Sequence, residues 1–430
     1  MSLKGQVIKG VRWTSYATIC NAIVAVLKIS ILARFLDKTD FGLMALIMFI
    51  LGFMNLFSDM GLSTAILHKQ EISKKHYASL YWFNIIICIF LYTLLWLSTP
   101  IFAGLYGEPM LNTLIPLVGL NIIFSGIGIQ FKTIESKHLR FKNISIIDII
   151  SVALSLVIAV ILAVKGYGVF ALVYSSLFQY LISNILYLII GLRSHGLLFH
   201  YRFSETVPFL KIGVYQVGGQ IVNYFNRDLD ILLIGKFFST EVLGGYSLAK
   251  QLVFRPAQII NPILIKVASP TLAKFQDDID ALKQNYLKLI NIVSSINFPV
   301  YLGIIIFAPW IVEIMYGPGF DDIVVLVRIL SIYMFIRALG NPIGSLVVAT
   351  GKTYLEFFWN LLNLFMMPIV IYYGCKISLV GVTIILVGYS IALFIPGWRI
   401  LVHNMTKASL KEYIWAIIKL NYSFLIRGKQ

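Results

Sequence analysis

The sequence predicts an all-α, polytopic membrane protein. About twelve transmembrane helices are expected, in two parallel, pseudo-symmetric six-helix lobes around a central cavity. Three observations carry that prediction. The first is composition: of 430 residues, 59% are hydrophobic and only 13% charged. With a mean hydropathy of +0.86, a soluble fold could not cover its surface with polar atoms, and the apolar runs recur from end to end. The second is the confinement of basic residues to alternate connections, and the third is an internal repeat.

A helix needs roughly 20 apolar residues to cross a bilayer. In chain order the runs fall at roughly 10–36, 41–67, 77–104, 111–135, 144–165, 168–192, 212–238, 241–271, 286–310, 322–350, 353–375 and 378–402. The first is not a cleavable signal. MSLKGQVIKGVRW enters a long apolar run without an A-x-A-like site, and a second span follows at once. Connections are short, the longest being 193–211 and 275–288, so no separate soluble domain is expected.

Basic residues set the orientation. Lys4 and Lys9, Lys69, Lys74 and Lys75, Lys137, Arg140 and Lys142, Arg193, Arg202 and Lys211, Lys274, Lys283 and Lys288, then Lys352 and the tail all fall on one side. The alternate loops DKTD, YGEPM, KGYG, STE, YGPGFDD and CKIS offer only Lys38, Lys165 and Lys376. The positive-inside rule then places both termini in the cytoplasm. That asymmetry accounts for most of the net charge of +16 without a nucleic-acid partner.

The repeat sets the organisation. ILARFLDKTDFGLMAL, from Ile31, resembles LIGKFFSTEVLGGYSL, from Leu233, with Arg34 over Lys236, Phe35 over Phe237 and Gly42 over Gly244. The 105–120 segment resembles the 315–330 segment, and GYGVFALVY resembles LVGVTIILVGY, in the same order. Six spans per repeat is an even number, so both halves share one orientation, as in transporters with parallel repeats. The expected lobes are 1–205 and 206–402, with 403–430 a cytoplasmic or interfacial amphipathic tail.

Against this apolar background one stretch stands out, YFNRDLDILLIGKFF at Tyr224–Phe238. Each ionised side chain at a bilayer centre costs roughly 2.5–3.5 kcal/mol, so Arg227, Asp228 and Asp230 together approach about 8–10 kcal/mol. Read backwards, Gln216, Gln220, Asn223, Arg227 and Asp230 recur at helical spacing and share one face. Arg227 and Asp230 are placed to pair at i, i+3, whereas Asp228 falls on another face. Subtracting the offset between Ile31 and Leu233 gives Thr14, Thr18, Asn21, Ala25 and Lys28 in the first span, again a mostly polar face. Lys28 and Asp230 are then equivalent in depth. Two readings stay open for this stripe: a face toward a water-filled cavity, or interhelical glue contributing about 0.6–2 kcal/mol per residue.

Other deep charges are Lys250 and Arg255 in YSLAKQLVFRPAQII, Arg337 in YMFIRALGNP and Asp59 in FSDMGLS. Cations exceed anions in these spans, which points to an anionic ligand. Pro256, Pro262 and Pro342 are read either as breaks that free backbone groups or as plain bends.

Enzymatic chemistry finds little support. His68, His76, His138, His195, His200 and His403 all lie in loops or the tail, without ligand-like spacing. No Gly-rich phosphate loop is present, so no ATP site is expected, nor any catalytic residue or metal. Cys20, Cys88 and Cys375 read as small buried hydrophobes.

RFLDKTDFGLMALIMFILGFMNLFSDMGLSTAIL, NYFNRDLDILLIGKFF and LGGYSLAKQLVFRPAQII resemble the bacterial polysaccharide flippases of the multidrug/oligosaccharidyl-lipid/polysaccharide superfamily. Within it the resemblance is to the colanic-acid-type Wzx exporters. The similarity runs over about residues 5–400, most specifically around Asn226, Arg227, Asp230 and Gly235. It implies flipping of a polyprenyl-pyrophosphate-linked oligosaccharide repeat unit to the periplasmic leaflet, for O-antigen, capsule or exopolysaccharide assembly. It also implies residence in the bacterial cytoplasmic membrane, alternating access, and coupling to an H⁺ or Na⁺ gradient without a bound cofactor. Other polysaccharide-assembly membrane proteins become expected partners.

On that reading Lys28, Arg227, Lys250, Arg255 and Arg337 supply the positive field around a pyrophosphate. Thr18, Asn21, Gln216, Gln220 and Asn223 form the polar stripe. Asp59, Asp228 and Asp230 act as charge partners or coupling groups, with Asp59 the better protonation candidate. One departure stands out: many members continue into thirteenth and fourteenth spans. The tail WAIIKLNYSFLIRGKQ, interrupted by Lys419, is instead expected at the interface, with Trp415 and Tyr422 as anchors. The rival readings are a drug or metabolite antiporter of the same fold, a lipid II flippase, and an integral glycan-modifying enzyme.

Overall fold

Helices account for every regular element in the computed structural model. It describes residues 3–421, leaving aside the side chains at 3, 4, 6, 7, 215, 216, 262, 263, 266 and 267. In order these are α1 (Leu3–Leu32), α2 (Lys38–Ser58), α3 (Leu62–His68), α4 (Lys74–Tyr106), α5 (Leu111–Lys137), α6 (Phe141–Val164), α7 (Val169–Ser194) and α8 (Phe203–Phe237). The chain continues through α9 (Thr240–Ala273), α10 (Ile279–Tyr316), α11 (Ile323–Thr350), α12 (Thr353–Cys375) and α13 (Leu379–Ala392). Three short elements follow: α14 (Phe394–Gly397), a π-helical turn (Trp398–His403) and α15 (Asn404–Thr406). The last helix is α16 (Leu410–Ile418).

Among the described residues, ten helical segments are long and apolar enough to cross a membrane. The protein is a multi-pass membrane protein. The two further expected spans are α8 and α9. At 35 and 34 residues they reach about 50 Å, but their charged and polar residues keep them out of that apolar set. The twelve-span count is thus approximate, ten helices being long and apolar enough and two more polar.

The second expected span ends early. Met60 and Gly61 take positive φ values of 44° and 71°, which stops α2 and starts α3. Asp59 stabilises the restart by accepting the backbone N–H of Ser63 at 3.0 Å and its hydroxyl at 2.8 Å. By contrast α9 and α11 run through Pro256 and Pro342 without interruption.

The chain forms two compact units, Met1–Gly244 and Gly245–Gln430. In the first, α1 packs on α6, α6 on α7, α7 on α5 and α5 on α4, while α8 lies against α2, α3 and α4. Glycines set the closest approaches. A Cβ on Gly42 would stand 1.9 Å from the Thr240 carbonyl oxygen, and one on Gly244 would stand 1.8 Å from that of Lys38. This contact is reciprocal. Residue 240 is 38 plus 202 and residue 244 is 42 plus 202, so the repeat-equivalent positions exchange partners across one crossing.

In the second unit α10 packs on α11, and α13 packs on both α11 and α12. Leu272, Tyr286, Ile290, Leu346, Val402 and Tyr413 share its buried core. Here α16 docks on α10. Asn291 Nδ2 donates to the carbonyls of Ala416, at 2.9 Å, and Lys419, and Ser294 Oγ donates to that of Ile417 at 2.7 Å. These side chains satisfy the carbonyls that a helix C-terminus leaves free. A Ser409–Glu412 capping box closes the other end. Tyr413 turns inward, while Trp415 (56%) and Ile418 (71%) remain exposed, as expected of an interfacial face. Tyr422 lies outside the described residues.

Candidate functional site

The charged segment of α8 is helical throughout. Arg227 Nε donates to Asp228 Oδ2 at 2.7 Å, and its guanidinium lies 5.6 Å from the centre of the Tyr224 ring. Tyr224 is anchored in turn by its hydroxyl, which donates to the Phe49 carbonyl of α2. Arg227 is therefore held over a fixed aromatic platform. Asp230 is buried at 9% exposure and accepts the Ile231 N–H at 3.0 Å. Gln220 and Asn223 are exposed, and the Gln216 side chain lies outside the described set.

The matching face of α1 divides by chemistry. The Thr14 and Thr18 hydroxyls donate back to the Gly10 and Thr14 carbonyls at 3.0 and 2.8 Å, so their protons are used within the helix. Lys28 Nζ reaches across to Ser155 Oγ of α6 at 2.8 Å, and that hydroxyl donates to the Ser175 carbonyl of α7 at 2.9 Å. Asn21 keeps a buried Oδ1 without a hydrogen-bond partner. Asp59 sits at the start of α3, as described above, one hydroxyl removed from Thr133, since Ser63 Oγ lies 2.8 Å from Thr133 Oγ1.

In the second unit the deep cations gather around one ring. Lys250 Nζ lies 5.4 Å and the Arg337 guanidinium 5.6 Å from the centre of Phe254. Lys250 is only 6% exposed. Arg337 Nη1 donates to the Tyr333 hydroxyl at 3.2 Å, and Arg255 Nη1 to Gln258 Oε1 at 3.3 Å. Tyrosine hydroxyls fix the backbone beneath them, Tyr301 on the Val253 carbonyl and Tyr316 on that of Leu248. The sequence of α9 after Gly245 and that of α11 contain no Asp or Glu. An arginine or lysine over an aromatic face is stabilised by about 0.5–2 kcal/mol.

Sequence reasoning missed a second polar cluster in the first unit. Lys132 of α5 and Asp148 of α6 pair at 3.1 Å, and the Tyr187 hydroxyl of α7 donates to Asp148 Oδ1 at 2.8 Å. A carboxylate inside the apolar run SIIDIISV was the available signal. At the end of α5 lies a further cluster around Glu135, which is 1% exposed. It accepts from Arg140 Nη1 at 3.1 Å and Asn143 Nδ2 at 2.8 Å. His195 stacks on His138 beside it, with ring centres 5.3 Å apart. Burial first, then the charges of His138 and Arg140, push the His195 pKa below the ordinary histidine value. Among the described residues no group of three or more His, Cys, Asp or Glu side chains could hold a metal ion.

Comparison with known proteins agrees with this architecture. Lipopolysaccharide biosynthesis protein WzxC of Escherichia coli K12 is 27% identical over 427 residues, covering 97% of this chain and 85% of its own. Teichuronic acid biosynthesis protein TuaB of Bacillus subtilis 168 is 28% identical over 425 residues, with coverage of 97% and 86%. Among solved structures, the inward closed conformation of the lipid II flippase MurJ superposes with a TM-score of 0.76. It covers 95% of this chain and 90% of its own at 14% identity. An inward-facing multidrug-resistance MATE transporter of the MOP superfamily follows at 0.66, with 15% identity and coverage of 90% and 96%. At such identities the likeness is one of fold. The family described as "Polysaccharide biosynthesis protein" matches residues 31–325, more than half of the sequence, and the chain belongs to that family.

Proposed function

We propose that this protein flips a polyprenyl-pyrophosphate-linked oligosaccharide from the cytoplasmic to the outer leaflet of a bacterial cytoplasmic membrane, for assembly of a surface polysaccharide. The observation that carries this reading is the set of cations held on aromatic rings within long helices: Arg227 on the Tyr224 platform, and Lys250 and Arg337 around Phe254. A pyrophosphate that meets such cations exchanges its hydration for charge-assisted hydrogen bonds. The polyprenyl chain stays in lipid throughout. Lys28 adds to the positive charge of the first unit, where Asp228 and Asp230 balance it, and Arg255 adds to that of the second.

Both termini lie in the cytoplasm on this reading, and an H⁺ or Na⁺ gradient drives alternating access, with Asp59 or Asp230 as the coupling carboxylate. No covalent step is involved. A drug antiporter of the same fold needs an acidic, aromatic site for organic cations, and the acid-free stretches of α9 and α11 speak against it.

The test is cellular. Deleting the gene should leave lipid-linked oligosaccharide facing the cytoplasm and abolish surface polysaccharide. The wild-type gene should restore it, and Arg337→Gln should restore it poorly. Normal surface polysaccharide in the deletion strain would overturn the proposal.

A further inference from the structure

Between α1, α5, α6 and α7 lies a cavity of about 290 Å³, lined among others by Asn21, Lys132, Asp148, Ser151, Gln179 and Ser183. Its volume is far above the ~10–15 Å³ that one water requires and close to the lower bound of small-ligand pockets, about 300 Å³. Two of its walls carry unmet hydrogen-bonding capacity. Ser151 is 1% exposed, and its Oγ has no partner; the buried Asn21 Oδ1 has none either. Buried polar atoms left unsatisfied cost stability, and native folds seldom keep them without a use.

The electrostatics narrow the occupant. Asp148 takes Lys132 Nζ on both oxygens at 3.1 Å and the Tyr187 hydroxyl on one at 2.8 Å. The one lysine and the one carboxylate therefore cancel. A metal cation would find no spare carboxylate, and a phosphate would find no spare cation. What remains open is a mixed set: an amide oxygen at Asn21, a hydroxyl at Ser151 that can donate or accept, and the amide of Gln179. A ligand matching that set is neutral and presents hydroxyls that both donate and accept. The Tyr180 and Tyr187 side chains add aromatic wall.

We infer that this cavity is a subsite for one neutral sugar ring of the transported oligosaccharide, bound by Ser151, Asn21 and the Lys132–Asp148 pair. The inference rests on the proposed function, and it assigns the sugar to a cavity of the first unit whose lining includes none of Lys28, Arg227, Lys250, Arg255 and Arg337.

The test compares two lipids in proteoliposomes of the full chain: the host cell's polyprenyl-pyrophosphate oligosaccharide and sugar-free polyprenyl pyrophosphate. Ser151→Leu narrows the cavity and removes the hydroxyl, and Ser151→Ala only removes the hydroxyl; thermal unfolding of each verifies the fold. A site built to hydrogen-bond a hydroxyl loses about tenfold or more when one partner is removed. Ser151→Leu should therefore slow exchange of the sugar-bearing lipid at least tenfold and leave the sugar-free lipid unchanged. Equal effects on both lipids, or none, would overturn the subsite and leave a water-filled cavity.

A second readout needs no transport. With Cys20, Cys88 and Cys375 replaced by Ala, a Ser183→Cys thiol should be shielded from a maleimide by the delipidated oligosaccharide. Absence of shielding overturns the subsite. Shielding in a protein that moves neither lipid would uphold the subsite and refute the flippase reading alone.

Discussion

Replacing Gly42 or Gly244 by Ala isolates the reciprocal crossing between α2 and the start of α9. In an unobstructed helix the change to Ala stabilises by roughly 0.5–1 kcal/mol, because Gly loses more backbone freedom on folding. Here the new methyl meets backbone. At Gly42 it would lie 1.9 Å from the Thr240 oxygen and 2.8 Å from its carbon; at Gly244, 1.8 and 2.7 Å from those of Lys38. Real Cβ contacts essentially never fall under 3.0 Å, so the helices must part by about 1.1 or 1.2 Å, the shortfalls from that limit. Overpacking of this kind costs about 1–3 kcal/mol. After the helical gain each variant should lose about 1–2 kcal/mol.

Both methyls open the same crossing, so the double variant should lose less than the two single losses combined, with a coupling of about 0.5 kcal/mol or more. Reversible unfolding in mild detergent, titrated with a denaturing detergent, reads all three. Gly303→Ala in α10 is the control, since nothing lies within 4 Å of its Cβ position, and it should be neutral or stabilising. Gly42→Ala and Gly244→Ala behaving like that control would refute the crossing; strictly additive losses would refute its reciprocity.

Three further outcomes follow from named contacts. The depressed His195 pKa means that the unfolded chain binds its proton more readily than the folded one. His195 therefore contributes stability above the ordinary histidine value of 6.5 and loses it as pH falls below that value. Melting temperatures recorded from pH 8 to 5 should decline through that window, and His195→Gln should flatten the decline. Glu205 is held below the usual carboxylate value by the Ser79 hydroxyl, then by His200. Its contribution is present above the unfolded value near 4.5 and is lost below it, so Ser79→Ala should raise the Glu205 titration midpoint seen by carbon-13 NMR. Removing Asn291 and Ser294 together should uncap α16, cost about 1–3 kcal/mol and speed proteolysis within 410–418. Unchanged cleavage would contradict the docking of that helix.

What the sequence disclosed follows from the range over which its signals act. Span positions come from local composition, and the residues from Ile31 and from Leu233 matched without any contact being known. The glycines of that match prove to be those of the reciprocal crossing. Pairings within one helix are equally local: Thr18 and Thr14 bond along α1 at a spacing of four. Lys132 and Asp148 lie sixteen residues apart on two helices, and no spacing rule links them, so the cavity beside them went unnoticed. Asp59 read as an isolated deep carboxylate because its partner is a helix start, which composition does not mark. Docking of α16 on Asn291 and Ser294 spans more than a hundred residues and is a tertiary fact.

The central claim is movement of a lipid-linked oligosaccharide through a cationic site. Its most direct test is leaflet exchange in liposomes containing the purified protein and a fluorescent polyprenyl-pyrophosphate oligosaccharide, read by external quenching with and without an H⁺ or Na⁺ gradient. The account predicts protein-dependent exchange that one gradient accelerates and that Arg227→Gln and Arg337→Gln each slow about tenfold or more. Wild-type protein that moves no labelled lipid under any gradient, while exporting organic cations from the same liposomes, would contradict it.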